Sequence, residues 1–417
     1  MSQSSTQSTP TGSQSTRLSR VAHLGVLSLA IVFYLLILMV AVGATHHGIA
    51  PGGAPLFYDF DAFYEAGRFV LRGDASGAYD DVRMVAAEHG AFPGMTVRLP
   101  WNYPPGLQLL VAPLSALPYV PAWLVWSALG CAAYLAGVRS LTPTTVEPLW
   151  LLAPAVAVNL FFGQNALLFV GCLMTGVGLL ERRPLLAGCV LGLLACKPQF
   201  APAPLALLLV GRHWRSLGTA VASQAVLFCA TLILMGTGPW SGFLERILHP
   251  TSVFTSSSSD WRAIPSVMTL CRTLGLPSAV GSATHWIVAG AVALMAAWTW
   301  HRTTEVRART AAAGLGCLLI TPYLRGYDFA FLVPASILLT EMPTAHRASP
   351  RMIAAHVAAT LCWAAPALLM FTTPAIQYGP LFPLSAAVLM AWRLLDPVET
   401  ADATPLRRES CADSPDG

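Results

Sequence analysis

"LLAGCVLGLLACKPQFAPAPLALLLV", residues 185–210, is the stretch of sequence that most constrains the fold. It contains two apolar runs, each shorter than the ~20 residues that a helix needs to cross a lipid bilayer. The runs meet at Lys197-Pro198, and Lys197 is the only lysine in the chain. Broken helices occur at membrane depth where protein lines a cavity. The stretch therefore predicts a hairpin of two half-helices, with one ammonium group at its turn near the outer face of a membrane.

The composition of the whole chain indicates the same class of protein. Of the 417 residues, 55% are hydrophobic and 11% are charged, and the mean hydropathy is +0.60. Soluble domains carry about 25% charged residues, so this chain needs lipid around it. Apolar runs recur between residues 22 and 395 and predict an all-α polytopic membrane protein with about 10–13 membrane helices. The net charge of +4 gives no reason to expect a nucleic-acid partner.

The polar segments divide the chain into a membrane domain and two tails. Residues 1–20 are rich in Ser, Thr and Gln, and residues 397–417 are also polar, so we expect two disordered cytoplasmic tails. Residues 21–396 form the predicted membrane domain. Two long external loops are predicted within it, at 45–104 and 237–282, and the first is expected to carry helices at the membrane surface.

Arginine positions predict which ends of the helices face the cytoplasm, because cytoplasmic loops are enriched in Lys and Arg. The arginine-bearing segments expected inside are 17–20, 181–184, 211–215, 302–309, 347–351 and 393. This threading places 45–104, 163–165, Lys197 and 322–328 together on the outer side of a bacterial-type plasma membrane. It leaves the direction of 104–146 open. Polar and charged residues that converge on one face of a membrane protein indicate a functional site.

Several motifs occur in order along the chain: "DFDAFYEAGRFVLRGDASGAYD" (59–80), "YPPGLQLLVAPLSALPY" (103–119), "GQNALL" (163–168), "LLAGCVLGLLACKPQ" (185–199) and "TPYLRGYD" (321–328). Together with the hydropathy profile, they resemble glycosyltransferase family 87, the polyprenyl-phosphate-mannose-dependent α-mannosyltransferase type with the GT-C membrane fold. The resemblance covers roughly residues 20–395.

This resemblance implies an inverting hexosyltransferase. It implies a polyprenyl-phosphate sugar as donor, a glycolipid or glycan as acceptor, and an acidic catalytic base in the first external loop. Asp59 matches the acidic position of the family, and Asp61 is the alternative base, since residues two apart point to different sides of a helix. The third possibility is that neither acts as base and that one of them caps the helix predicted over 61–72.

We expect a metal-independent reaction without a cofactor. The donor has no pyrophosphate to demand a divalent ion, and no His/Asp/Glu cluster in the sequence has metal-ligand spacing. The nine cysteines form no CxxC pair and are expected to be small buried hydrophobic residues.

Four further residues are candidates for contacts with the sugar or phosphate. Tyr64 and Arg68 share one face of the predicted helix; they would line the site, or the helix would lie on the membrane with Arg68 toward the headgroups. Gln164 and Asn165 would bind sugar hydroxyls, or would cap the helix predicted over 166–180.

The remaining candidates are charged or aromatic. Lys197 would bind the donor phosphate, pair with a buried acid, or extend toward lipid headgroups. Arg325, Tyr327 and Asp328 would contact phosphate and sugar, or Arg325 and Asp328 would form a plain ion pair. Arg262 is a possible further phosphate contact. A secondary transporter or flippase is the competing class, because broken helices and a lone membrane lysine suit that class as well.

Overall fold

The computed structural model describes residues 53–142, 147–248, 259–340, 350–370 and 375–395, with single residues between 25 and 49. The described part of the chain is all-α, with no β-strand in it, which confirms the predicted class. The two predicted tails lie outside the described residues, as does most of the first predicted span.

The bounds of the elements are as follows. The α-helices are Phe60–Leu71, Asp81–Ala91, Pro105–Val111, Tyr119–Leu141, Pro148–Leu151, Pro154–Phe162, Ala166–Leu179, Pro184–Gly192, Pro202–Val210, Trp214–Met235, Gly238–Leu248, Val267–Thr273, Ser278–Arg302, Val306–Ile320, Val333–Thr340, Pro350–Met370 and Leu381–Leu395. The 3₁₀-helices are Ala75–Tyr79, Ala112–Ala116, Leu193–Cys196, Pro198–Phe200, Ser259–Ala263 and Gly326–Leu332.

Four described helices are long and apolar enough to cross a membrane: Tyr119–Leu141, Trp214–Met235, Ser278–Arg302 and Met352–Met370. Seven shorter apolar segments of 10–17 residues accompany them. Large apolar side chains on the long helices remain exposed, such as Ile233 at 83% and Leu294 at 74%. Exposed apolar surface of this extent has its natural solvent in lipid tails, so the chain is a polytopic membrane protein.

The predicted break at Lys197 is confirmed. Lys197 has extended backbone angles (φ −127°, ψ 82°) and separates two short 3₁₀-helices, each of which continues into an α-helix. The helix that follows the hairpin, Trp214–Met235, begins beside Pro184, where the hairpin starts. Ser216 Oγ donates a hydrogen bond of 2.8 Å to the carbonyl oxygen of Pro184, and Gly211 lies against the Trp300 side chain.

Arginine-bearing helix ends gather at the end of the bundle opposite to Lys197. Arg309 Nη1 lies 3.3 Å from Glu181 Oε1, and Arg307 Nε donates to the carbonyl oxygen of Leu141 at 2.7 Å. The second contact fixes the direction of the helix Tyr119–Leu141, which the sequence left open: its C-terminal end lies with the arginines.

The first long loop folds into a compact layer. This layer packs against the end of the bundle that lies away from the arginine-bearing helix ends. Its helix Phe60–Leu71 buries Phe60, Phe63 and Phe69, and the Phe63 ring packs edge-on against Trp101 at 5.7 Å. Burial of each phenyl side chain stabilises the layer by roughly 1.5–3 kcal/mol. The following helix, Asp81–Ala91, begins where Asp80 accepts hydrogen bonds from two backbone N–H groups. This layer holds Asp59 against the bundle.

Candidate active site

Asp59 lies at the junction between the bundle and the layer that the first long loop forms. It precedes the helix Phe60–Leu71, but its side chain makes no capping hydrogen bond to that helix. Its backbone N–H donates to the carbonyl oxygen of Phe162 at 2.9 Å. Its Oδ2 atom accepts a 2.7 Å hydrogen bond from Gln164 Nε2. The carboxyl group therefore faces the "GQN" turn, and the capping alternative does not describe its contacts.

The "GQN" turn is built around a glycine in the left-handed region. Gly163 has φ +69°, and a Cβ atom there would lie 2.4 Å from Phe60 Cβ. The Gly163 carbonyl oxygen accepts from Trp126 Nε1 at 3.0 Å. Only glycine tolerates both this conformation and so close an approach. The turn therefore packs directly against the start of the helix Phe60–Leu71.

Asn165 begins the helix Ala166–Leu179, yet its side chain does not cap that helix. The cap is supplied by Asn159, whose Oδ1 accepts from the Ala166 N–H at 3.0 Å. Asn159 Nδ2 also donates to the carbonyl oxygen of Tyr327 at 3.2 Å. Asn165 Oδ1 is thereby left to accept from Lys197 Nζ at 3.1 Å.

Lys197 is 2% exposed and forms an ion pair with Asp328, with 2.5 Å between Nζ and Oδ1. The ammonium also lies 5.1 Å from the ring centre of Phe200 and 5.2 Å from that of Tyr327. These contacts exclude the alternative in which Lys197 reaches lipid headgroups. Two of its three N–H donors are used by Asp328 and Asn165.

Arg325 lies next to the ion pair of Lys197 and Asp328. Asp328 Oδ2 accepts the backbone N–H of Arg325 at 2.9 Å, which fixes the position of the residue. The Arg325 guanidinium lies 5.9 Å from the ring centre of Tyr323. In the part of the chain that the structure describes, no carboxylate forms an ion pair with it. Arg325 is therefore a half-buried cation outside any ion pair of the described residues, and its charge interacts with that of the nearby Asp59.

The surroundings of Asp59 suit a general base. Burial raises the pKa of Asp59 to about 6, while the hydrogen bond from Gln164 and the charges of Arg325 and Lys197 oppose that rise; Asp328 adds to it. A carboxylate with this pKa is mostly ionised at pH 7 and is a stronger base than an exposed one. No hydrogen bond within the described residues occupies its second oxygen, Oδ1.

Asp61 has different surroundings. It is fully buried, and neither of its carboxyl oxygens has a hydrogen-bond partner among the described residues. Burial, together with the nearby Glu65 and Glu88, raises the pKa of Asp61 well above its ordinary value. Burial also raises the pKa of Glu88, to about 7. Asp61 is therefore a neutral acid within the layer that the first long loop forms. A neutral carboxyl group is a poor base at pH 7.

Three other predicted site residues make contacts elsewhere. Tyr64 and Arg68 do share a helix face, with the guanidinium 5.9 Å from the ring centre. Arg68 pairs with Glu65 at 2.6 Å, and the Tyr64 hydroxyl donates to the Leu117 carbonyl oxygen at 2.8 Å. Arg262 is exposed. No contact of these three side chains with the Asp59 group is found in the described residues.

Sequence reasoning missed two residues that complete the site. Tyr103 begins the motif at 103–119 and is not among the predicted site residues, yet its hydroxyl lies 3.5 Å from Gln164 Oε1. Asn159 supports both the "GQN" turn and Tyr327. The only available signal for Asn159 was a polar amide inside an apolar run, 148–162. In the described segments, no group of three or more His, Cys, Asp or Glu side chains is arranged to hold a metal ion.

Comparison with known proteins assigns the fold to a family. The model of glycosyltransferase family 87 matches residues 101–322. The chain belongs to glycosyltransferase family 87. The matched region contains Gln164, Asn165 and Lys197, whereas Asp59 and Asp328 lie outside it.

The chain is also similar to an enzyme named "Alpha-(1->3)-arabinofuranosyltransferase" in Mycobacterium tuberculosis strains CDC 1551 / Oshkosh and ATCC 25618 / H37Rv. Each of these relatives is 33% identical over 179 residues, which is 37% of this chain. The match covers 40% of the length of each relative. No solved structure matches the chain. Membership of this family disfavours the transporter class.

Proposed function

We propose that this membrane glycosyltransferase transfers a hexose, mannose-like, from a polyprenyl-phosphate sugar to a glycolipid or glycan acceptor. The reaction would take place on the outer face of a bacterial-type plasma membrane, with both chain termini in the cytoplasm. The observation that carries the proposal is the Asp59 carboxylate. One oxygen is held by Gln164, the other is free to accept a proton, and the Arg325 cation lies beside it.

The proposed chemistry is a single displacement. Asp59 Oδ1 accepts the proton of an acceptor hydroxyl as the hydroxyl oxygen attacks C1 of the donor sugar. The bond between C1 and the phosphate oxygen breaks, and the polyprenyl phosphate leaves with the electron pair. Attack from the side opposite to the phosphate inverts the configuration at C1. A monophosphate leaving group needs no chelated divalent ion, so we propose a metal-independent reaction.

We propose unequal contributions from the two cations of the site. Arg325 has five N–H donors in a planar fork, and no ion pair among the described residues uses them, so it is the better partner for the developing phosphate charge. The charge of Lys197 is offset by Asp328, and its one remaining N–H would add a single hydrogen bond. Asn165 and Tyr327 lie beside this ion pair, where they would contact the phosphate or the sugar.

The identity of the donor sugar is tested with two labelled donors. The name of the mycobacterial relatives makes arabinofuranose the second sugar to test. Membranes that contain the protein would be given labelled polyprenyl-phosphate mannose or labelled polyprenyl-phosphate arabinofuranose, with cell lipids as acceptors. We expect a labelled, extended product from one donor, and its loss in Asp59→Asn.

Asp61→Asn is the matched control, because it makes the same change two residues away in a group that is already neutral. Loss of transfer in Asp61→Asn with full transfer in Asp59→Asn would assign the base to Asp61 and refute the proposed site. Movement of intact donor across the membrane without a covalent product would instead support a flippase.

A further inference from the structure

The Gln164 side chain has only one orientation that satisfies its surroundings. Its Oε1 atom accepts the backbone N–H of Asn165 at 3.2 Å and lies 3.5 Å from the Tyr103 hydroxyl. An amide oxygen can only accept, so the Nε2 group must point the other way, toward Asp59 Oδ2 at 2.7 Å. The donor that faces the carboxylate is therefore fixed by the Asn165 backbone and the Tyr103 hydroxyl, both within the protein.

Both sides of this hydrogen bond rest on rigid backbone. On one side, the turn 162–165 is locked by the positive φ of Gly163 and by the bond from Trp126. On the other side, the Asp59 N–H is bound to the carbonyl oxygen of Phe162. The turn therefore binds Asp59 twice. The Phe162 carbonyl oxygen binds its backbone, and the Gln164 amide binds its side chain.

We propose that Gln164 is a positioning residue for the catalytic base, which it holds in one rotamer and keeps ionised through a fixed N–H donor. This inference rests on the proposed function of Asp59 as base. It assigns Gln164 a role different from binding sugar hydroxyls, because its Oε1 atom accepts from the protein and its Nε2 group donates to Asp59.

The electrostatic surroundings of Asp59 agree with this role. Burial raises the pKa of Asp59, and among the groups that oppose the rise Gln164 acts more strongly than Arg325 and Lys197, while Asp328 acts in the opposite sense. The phenol groups that also interact with Asp59 are those of Tyr103, Tyr119 and Tyr327. Loss of the Gln164 donor should therefore make the carboxylate harder to ionise.

The test is the pH profile of kcat in the labelled-donor assay. Gln164→Leu should shift the acidic limb upward by about one pH unit, since hydrogen bonds to charged groups are among the strong ones. Gln164→Glu, which has the same shape, should shift it further because two carboxyl groups would share one proton. Gln224→Leu is the matched control: the same substitution in a half-buried glutamine of another element, the helix Trp214–Met235, should leave the limb in place.

The outcomes separate this inference from the proposed function. Inactive Asp59→Asn with shifted limbs in the Gln164 variants supports both. Inactive Asp59→Asn with the wild-type limb in Gln164→Leu and Gln164→Glu overturns the positioning role and leaves Asp59 as base. Full activity in Asp59→Asn overturns both. Thermal unfolding in detergent identifies any variant that fails to fold, and the isosteric Gln164→Glu then decides.

Discussion

The buried ion pair between Lys197 and Asp328 permits a quantitative test of how the site is held. Lys197→Met keeps the length of the side chain and removes its charge, which leaves the Asp328 carboxylate buried without a counter-charge. Both side chains are 2% exposed, with 2.5 Å between Nζ and Oδ1. Removal of one partner from a buried pair costs about 3–5 kcal/mol. We expect Lys197→Met to lose that much free energy of unfolding.

The double variant Lys197→Met/Asp328→Asn separates the charge effect from the loss of a side chain. The amide introduced in place of the carboxylate would be neutral and would keep an oxygen acceptor for the Arg325 N–H, which Asp328 now binds at 2.9 Å. The double variant should therefore recover most of the loss, with a remaining deficit of about 1 kcal/mol for imperfect hydrogen bonding. The double variant would then be more stable than Lys197→Met by about 2–4 kcal/mol.

The assay is unfolding by SDS in mixed micelles, followed by tryptophan fluorescence. Arg83→Met is the control, because Arg83 pairs with Asp74 at the exposed surface, where an ion pair contributes less than about 1 kcal/mol. Equal stability of Lys197→Met and wild type would refute the reasoning. A double variant no more stable than the single one would show that Lys197 acts through its packing, not through its charge.

Four further predictions concern the proposed reaction, the charge of Asp59 and the turn beside it. Arg325→Ala should lower kcat by about 10²–10³-fold in the labelled-donor assay, because a preorganised donor to a developing charge is lost. Arg325→Lys should recover only part of that loss. Wild-type rates in the alanine variant would exclude the phosphate contact. Transfer should fall as pH drops through about 6, because protonation of Asp59 removes the base, and a rate constant over pH 5–8 would contradict this. The raised pKa of Asp59 destabilises the fold above that pH, so Asp59→Asn should unfold at higher SDS concentration at pH 8 than wild type, and the difference should shrink below pH 6. Gly163→Ala should cost about 2 kcal/mol or more in the SDS assay, because its Cβ would collide with Phe60 and its φ is +69°; an unchanged midpoint would contradict the account of the turn.

Much of the fold followed from local properties of the sequence. Hydropathy predicted an all-α membrane protein, and Pro198 predicted the break at Lys197, since both depend on residue type within a few positions. Arginine placement predicted which helix ends share a side, and the contacts of Arg309 and Arg307 agree with that grouping. It left the helix Tyr119–Leu141 undirected, because a single Arg139 near its end is weak evidence of sidedness.

The partners of each site residue were a different matter. The sequence alone left three roles open for Lys197: a phosphate contact, a pair with a buried acid, or extension to lipid headgroups. Asp328 is 131 residues away, and only helix packing brings the two together. The sequence also indicated that Asp59 and Asp61, two residues apart, would not both face the site. Only the tertiary structure decided which of them meets Gln164 and the cations, and which is buried with other acids. Hydropathy and propensity act over a few residues, whereas the charge state of a carboxyl group depends on everything within several ångströms, whatever its distance along the chain.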